Sequence, residues 1–160
     1  MPETLVVNAS PLMLLARIEQ LELLRVLQGP VCVPRAVLRE LEAGNEPDGA
    51  ADAVRAAPWL TMVEDIDPSE RLLSWELGAG ETQVIARSMR DDSWAVLDDR
   101  AARRCAKAFG VTTIGTLGLV ARARRCSLVP AARPILESLR SEGMRLSTGL
   151  MDQLLAELGE

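Results

Sequence analysis

Six residues with oxygen-bearing side chains stand where short apolar runs meet predicted helices. Two follow the first apolar run, two follow a later run that ends at Leu97, and two are glutamates in or beside predicted helices. Carboxylate and amide oxygens are hard ligands for Mg²⁺ or Mn²⁺, ions that keep waters and leave room for a substrate phosphate. Such an ion can generate hydroxide from water and stabilise a leaving oxygen in phosphodiester hydrolysis. This oxygen set consists of Asn8, Ser10, Glu40, Glu81, Asp98 and Asp99.

Most members of the oxygen set also have a structural explanation when they are considered singly. Glu40 fits a solvated helix face, and Glu81 fits a first helical turn, where a negative charge favours the helix dipole. Asp98 and Asp99 fit an N-cap and its neighbour, and Asn8 fits a side chain that stabilises a turn. No single position therefore establishes a function.

The composition excludes several kinds of chemistry. The sequence contains no histidine, which removes Ser-His-Asp and Cys-His catalysis and the usual zinc hydrolase sites. The three cysteines, Cys32, Cys105 and Cys126, are widely spaced in apolar patterns, so we expect small core residues and neither a metal knuckle nor a disulfide framework. Any catalysis then depends on carboxylates, hydroxyls, arginines or a hard cation.

Charge is distributed unevenly along the sequence, whose net charge is −5. Residues 1–99 carry 8 arginines and 18 acidic residues, whereas residues 100–145 carry 10 basic and 2 acidic residues. This asymmetry could place a cation site beside a phosphate-binding surface. The alternative is that both segments simply contribute solvated helix faces.

Short apolar runs alternate with helical patterns over the whole sequence. The run Thr4–Val7 ends before Pro11, a residue suited to the first turn of a helix. This alternation predicts a parallel sheet of four to five strands flanked by helices, with ligands at the carboxyl ends of the strands. A loop is predicted over residues 44–49. The predicted strands are residues 4–7, 31–33, 59–63, 94–97 and 111–114, and the last helical segments are near 131–140 and 147–158.

Length and hydrophobicity predict a single domain over residues 1–160, with its core at about 4–145 and a C-terminal helical extension at about 146–160. No apolar run approaches the length of a membrane span, and no basic region precedes a hydrophobic segment at the N-terminus. We therefore expect a cytoplasmic protein without a membrane partner.

Taken in order, the motifs around the oxygen set resemble the PIN-domain family. They are most similar to the uncharacterised prokaryotic branch related to the toxin nucleases of VapBC-type toxin–antitoxin modules, that is, to VapC-type proteins. The matching motifs are Val6–Leu12, Val33–Leu41, Gly78–Glu81 with Ile85-Ala86, Leu97–Arg100 and Gly115–Gly118.

The resemblance implies a PIN-like three-layer α/β sandwich and a metal-dependent ribonuclease. In that case Glu40, Glu81 and Asp98 would hold Mg²⁺ or Mn²⁺ directly or through water, with Asp99 as an additional or alternative ligand. Asn8 occupies the first acidic position of the family pattern, which is normally an aspartate. An amide oxygen can ligate a cation, but it carries no charge and should weaken metal binding.

The resemblance also implies contacts with RNA and with other proteins. Ser10 and Thr116 could orient water or phosphate by hydrogen bonding, and four arginines are candidates for guiding an RNA backbone. An antitoxin partner and a homodimer are implied by the likeness to toxin-type proteins. The four arginines are Arg100, Arg103, Arg104 and Arg122.

Three functional hypotheses follow from these observations. The first is a PIN-like ribonuclease that hydrolyses RNA phosphodiester bonds, as the toxin component of a toxin–antitoxin pair. The second is a catalytically weakened RNA- or protein-binding module, because Asn8 replaces an aspartate. The third is a nucleotide-binding α/β module, for which Gly78-Ala79-Gly80 is only a fragment of a phosphate loop and no Walker lysine is present.

Overall fold

The computed structural model describes residues 3–44 and 49–160. In these residues a five-stranded, all-parallel sheet has the strand order β3-β2-β1-β4-β5 and is flanked by helices. The α/β prediction is therefore confirmed. The strands are β1 Glu3–Val7, β2 Gln28–Pro34, β3 Leu60–Val63, β4 Trp94–Val96 and β5 Thr113–Ile114.

Helices occupy most of the connections between the strands, as right-handed parallel crossovers require. A short 3₁₀ segment also lies at Leu21–Arg25. The helices are α1 Ala9–Arg17, α2 Arg35–Ala43, α3 Ala50–Ala56, α4 Glu70–Leu73, α5 Ala79–Asp91, α6 Arg100–Ala108, α7 Thr116–Arg125, α8 Arg133–Ser141 and α9 Thr148–Glu157.

Strand β1 lies at the centre of the sheet and pairs with β2 on one side and β4 on the other. Its residues Leu5, Val6 and Val7 are 0–1 % exposed. A parallel strand is covered on both faces, so it is apolar without alternation, which is the pattern that the sequence carries here. The pairing of Val7 with Val96 then brings the ends of β1 and β4 together.

From β1 the chain adds β2 and β3 on one side of the sheet and then β4 and β5 on the other, so the switch point lies between β1 and β4. Open α/β sheets bind ligands at such a switch point, outside the carboxyl ends of the strands. A dinucleotide-binding fold would need a glycine-rich turn after β1. Here Asn8 joins β1 directly to α1, which begins with Ala9-Ser10-Pro11, and Gly78 follows α4 and irregular chain instead of a strand. The nucleotide-binding hypothesis consequently loses its only motif.

Strand β2 is longer than predicted. It begins at Gln28 instead of residue 31, and Gly29 lies so close to β1 that a Cβ atom would be 2.2 Å from the Glu3 carbonyl oxygen. Residues 12–27 contain most of α1 and the 3₁₀ segment, with Glu19 in a left-handed conformation between them. The loop predicted over 44–49 lies mainly outside the described residues.

The C-terminal helix α9 packs on the core of the sheet and helices. Met151 and Leu155 are 3 % and 1 % exposed and belong to the hydrophobic core. Of the cysteines, Cys105 is buried and Cys32 is half-buried, but Cys126 is exposed after the end of α7, so its assignment to the core was wrong. Among the described helices, none has the length and apolar character needed to cross a membrane.

Candidate functional site

Asn8 lies at the end of β1 with a buried side chain that is 5 % exposed. Its backbone N–H donates to the Val96 carbonyl, which fixes it beside the end of β4. Although Asn8 is the N-cap residue of α1, its side chain makes no capping hydrogen bond. Among the described residues its Oδ1 atom has no hydrogen-bond partner at all. The side chain therefore does not tie down a turn.

Glu81 lies in the first turn of α5, where the backbone N–H of Gly78 donates to its carboxylate. This bond from the N-cap residue to the third helical residue is half of a capping box. Burial raises the pKa of Glu81, and the negative charges of Asp99 and then Glu40 raise it further, while the Gly78 bond lowers it. Glu81 thus lies close enough to the carboxylates of Asp99 and Glu40 to interact with them electrostatically.

Glu40 is an exposed residue of α2 whose carboxylate contacts the start of α5. The backbone N–H of Gly80 donates to Glu40 Oε1 over 2.8 Å. A Cβ atom at position 80 would lie 2.7 Å from that same oxygen, so glycine leaves room for the Glu40 side chain in this position. The segment Gly78-Ala79-Gly80, considered above as a phosphate-loop fragment, therefore contacts a carboxylate.

Asp98 and Asp99 follow β4 but have different partners. Asp98 accepts hydrogen bonds from the Thr116 backbone N–H over 2.7 Å and from the Thr116 hydroxyl over 2.6 Å. Asp99 is the N-cap of α6 and accepts from the Ala102 N–H through Oδ2 over 2.9 Å. Asp99 also acts on the pKa of Glu81, whereas Asp98 is not among the causes of that shift.

The predicted substrate-binding residues divide between two edges of the sheet. Ser10 and Arg103 line a cavity of about 710 Å³ at the carboxyl edge, together with Asp98. Thr116 is fully buried, and Arg100 and Arg104 are exposed at the start of α6.

Arg122, the remaining predicted substrate-binding residue, lies away from the carboxyl edge. Its guanidinium stacks over the Trp94 ring, 5.5 Å from the ring centroid. Trp94 is the first residue of β4, so Arg122 lies towards the amino edge of the sheet and is not brought together with the oxygen set.

The arginine-rich segment does not form a single basic surface. Arg103 donates to the Leu97 carbonyl, and Arg124 pairs with Glu160. These two arginines therefore interact with other parts of the protein. Only some of the arginines of residues 100–145 lie at the carboxyl edge of the sheet.

The donor chemistry of the oxygen set fits a hard divalent cation. An unpaired, buried amide oxygen at Asn8 and a carboxylate with a raised pKa at Glu81 are both groups that a cation would stabilise. Within residues 3–44 and 49–160, however, no three His, Cys, Asp or Glu side chains are close enough to enclose an ion. The arrangement fits an ion that keeps several waters between itself and the protein, as Mg²⁺ commonly does.

Several contacts of the site were not predicted from the sequence. Gly80 and Gly115 belong to the family motifs, but no contact was assigned to them. Gly80 lies against the Glu40 side chain, and a Cβ at Gly115 would lie 2.9 Å from Arg103 Nη1 and 3.0 Å from Asp98 Oδ1. Both glycines precede or open a predicted helix, which could have marked them. The cavity residues Arg17, Glu142, Met144 and Arg145 come from distant segments, so spacing alone could not have linked them.

An open parallel sheet with carboxylates around its switch point defines a doubly wound α/β protein with an acidic crevice. A protein-family profile described as a PIN domain matches residues 4–160. The chain therefore belongs to the PIN-domain family. The search of curated proteins found no match.

Proposed function

We propose that this PIN-domain protein is a metal-dependent ribonuclease that hydrolyses RNA phosphodiester bonds. The observation that carries the proposal is the buried Asn8 Oδ1, which has no hydrogen-bond partner among the described residues and lies at the switch point of the sheet. An unpaired buried oxygen costs about 1–3 kcal/mol, and a bound cation would remove that cost. Family membership supports a nuclease and a divalent ion in general.

Four side chains are proposed to hold Mg²⁺ or Mn²⁺, directly or through water. Asn8 supplies a neutral oxygen, and the negative charge comes from three carboxylates. When bound, the ion would generate the hydroxide nucleophile and stabilise the leaving oxygen. The proposed ligands are Asn8, Glu40, Glu81 and Asp99.

Within this proposal Asp98 and Asp99 have separate roles. Both oxygens of Asp98 already accept hydrogen bonds from Thr116, so Asp98 positions the start of α7 against the end of β4. Asp99 uses one oxygen to cap α6, and its charge is felt by Glu81. Asp99 is therefore placed first among the proposed ligands, while Asp98 keeps lone pairs for an ion and stays the alternative ligand beside its positioning role with Thr116.

The RNA backbone is proposed to approach from the start of α6, where Arg100 and Arg104 are exposed. Ser10 and Arg103, which line the adjacent cavity, would contact phosphate or ordered water. The toxin role, the antitoxin partner and the homodimer rest on the motif resemblance to VapC-type proteins. The cytoplasmic location is proposed from the apolar pattern of the sequence.

The second candidate is a binding module that keeps the PIN fold and binds RNA without cleaving it. Asn8 favours this candidate, because an uncharged first ligand reduces the attraction for a divalent ion. The absence of an enclosing carboxylate group in the described residues points the same way.

The experiment is a manganese titration followed by cleavage of a panel of single-stranded and structured RNAs. The nuclease proposal expects Mn²⁺-dependent cleavage that is lost in Glu81→Gln and Asp99→Asn. The matched control is Glu137→Gln, an exposed carboxylate on α8, which should cleave like wild type. RNA binding without cleavage at any manganese concentration would favour the binding module, and cleavage that survives both site variants would reject the proposed site.

A further inference from the structure

A cavity of about 710 Å³ adjoins the proposed metal site at the carboxyl edge of the sheet. Its walls come from α1, from the chain between the end of β4 and the start of α6, from the junction of β5 and α7, and from the turn between α8 and α9. We call it the α1–α7 cavity. It is lined by Ser10, Met13, Leu14, Arg17, Asp98, Arg103, Thr113, Ile114, Gly115, Leu117, Gly118, Glu142, Gly143, Met144 and Arg145.

The lining divides into apolar and positively charged parts. Met13, Leu117 and Met144 are half-buried side chains that provide an apolar surface. Methionine is flexible and polarisable and packs well against aromatic groups, and leucine adds further apolar surface. The cavity can therefore take an uncharged planar group against this surface.

Three arginines and two acids line the same cavity, so the lining has a positive balance. Arg103 donates from Nη1 to the Leu97 carbonyl, which holds the guanidinium in place while its other N–H groups are left for a ligand. Arg145, in the turn before α9, is exposed and forms no ion pair with any described residue. One acid, Asp98, accepts hydrogen bonds from the Thr116 backbone N–H and hydroxyl, which stabilise its negative charge.

An apolar surface beside guanidinium groups matches a nucleotide, which joins a base with apolar faces to an anionic phosphate. We propose that the α1–α7 cavity binds one unpaired nucleotide of the RNA, next to the phosphodiester that the metal site would cleave. This inference rests on the proposed ribonuclease function and extends it to substrate selection. The volume falls within the range of about 300–1,000 Å³ that is typical of small-ligand pockets.

The cavity and the metal site are connected through Ser10 and Asp98. Both residues line the cavity, while Asn8 and Asp99, one or two residues away in the sequence, belong to the proposed metal site. A strand that crosses the switch point would pass from one to the other. Because a stacked and paired base cannot enter a cavity, the arrangement favours single-stranded RNA over duplex RNA.

The test measures binding separately from cleavage. A fluorescein-labelled single-stranded RNA of about eight nucleotides is titrated with protein in EDTA and followed by anisotropy, with a duplex of the same sequence as the second probe. In Arg145→Glu the Kd for the single strand should rise at least about tenfold, and Arg145→Lys should recover part of the loss. The matched control, Arg140→Glu, makes the same charge change on the exposed part of α8, outside the cavity, and should stay within about twofold of wild type.

A second measurement locates the base without any substitution. RNA with a single 4-thiouridine is cross-linked to the wild-type protein, and the modified peptide is identified by mass spectrometry. Cross-links within residues 113–118 or 142–145 support the proposal. Cross-links confined to other segments, or equal Kd values for Arg145→Glu and Arg140→Glu, would overturn it even if the protein cleaves RNA. Absence of both RNA binding and cleavage in wild type would instead reject the underlying ribonuclease proposal and this inference with it.

Discussion

At the residue scale, Asn8 combines a buried position with an unpaired oxygen. Buried polar atoms are nearly always hydrogen-bonded, so an orphaned amide oxygen calls for a physical reason. Interaction with a cation would provide one, because an amide oxygen is a competent hard ligand. The lack of charge at this position would lower the affinity for the cation without removing the ligand atom.

The first prediction concerns Asn8→Asp. The added charge should tighten Mn²⁺ binding by at least about tenfold, which corresponds to about 1.4 kcal/mol. In EDTA the same variant should be less stable than wild type by about 1–3 kcal/mol, because the new carboxylate is buried without a partner. Isothermal titration with Mn²⁺ and urea denaturation in EDTA measure the two effects.

Asn8→Ala serves as the control for that prediction, since it removes the ligand oxygen and should bind Mn²⁺ more weakly than wild type. If the three proteins bind Mn²⁺ with the same affinity, Asn8 is not part of a metal site.

The second prediction uses the raised pKa of Glu81. Between the usual carboxylate pKa and the raised one, the folded state keeps a proton that the unfolded state has lost. The free energy of unfolding in EDTA should therefore fall as the pH rises through this window, and it should stay lower above it. Glu81→Gln can keep the bond from Gly78 but has no charge, so this fall should be smaller and its stability at neutral pH higher. Urea denaturation between about pH 4 and pH 8 tests the prediction.

Saturating Mn²⁺ should reverse the wild-type trend, because the cation binds the deprotonated carboxylate. The interpretation of Glu81 is wrong if wild type and Glu81→Gln show parallel stability curves in EDTA.

At the element scale, the site depends on how two helices begin. Helix α5 begins beside α2, and Gly80 allows the Glu40 carboxylate to reach a backbone N–H of its first turn. Helix α7 begins beside the end of β4, where Gly115 lies against both Asp98 and Arg103. The start of a helix offers unpaired N–H groups, so both junctions hold carboxylates at defined positions.

The third prediction compares two glycines at the same position of their helices. Gly80 and Gly149 are each the second residue of a helix, α5 and α9 respectively. An alanine at Gly149 would contact nothing within 4 Å and should stabilise the protein by about 0.5–1 kcal/mol. An alanine at Gly80 must displace the flexible Glu40 side chain, so folding should change little while Mn²⁺ binding weakens.

Thermal unfolding and Mn²⁺ titration of both variants measure these effects. Unchanged Mn²⁺ affinity in Gly80→Ala would show that the contact between Glu40 and α5 does not serve the metal site.

At the scale of the whole molecule, the C-terminal helix belongs to the same core as the sheet. Leu155 is 1 % exposed, and Glu160 accepts hydrogen bonds from the Ala132 and Arg133 backbone N–H groups at the start of α8. The sequence predicted residues 146–160 as an extension of a single domain. The packing of α9 supports the idea that this segment is needed for stability.

The fourth prediction tests this idea with two leucines of α9. Leu155→Ala should lower the free energy of unfolding by about 2–5 kcal/mol, because it opens a cavity in the core. Leu150→Ala, at a position that is 45 % exposed, should cost much less. Chemical denaturation of the two variants separates the outcomes, and equal losses would mean that α9 is not packed as described.

Most strands and helices could be predicted because each depends on nearby residues. The run before Asn8 is apolar, and Pro11 suits the first helical turn, so the first strand and helix follow from local patterns. The start of β2 was predicted at residue 31 instead of 28, because the pairing of Gln28 with Glu3 on the neighbouring strand extends the strand. The exposure of Cys126 was not predicted either, since it depends on what lies against the end of α7.

The sequence by itself determined the order of strands and helices, the family motifs and the oxygen-bearing residues at the strand ends. Only the tertiary structure decided the partners of those residues: Asp98 bonds Thr116, 18 residues away, and Glu40 bonds the start of a helix 40 residues away. It also left Asn8 Oδ1 unpaired and assembled the α1–α7 cavity from four separate segments. The physical reason is that secondary structure reflects local preferences, whereas the direction of a side chain and its hydrogen bonds depend on packing between segments that are distant in the sequence.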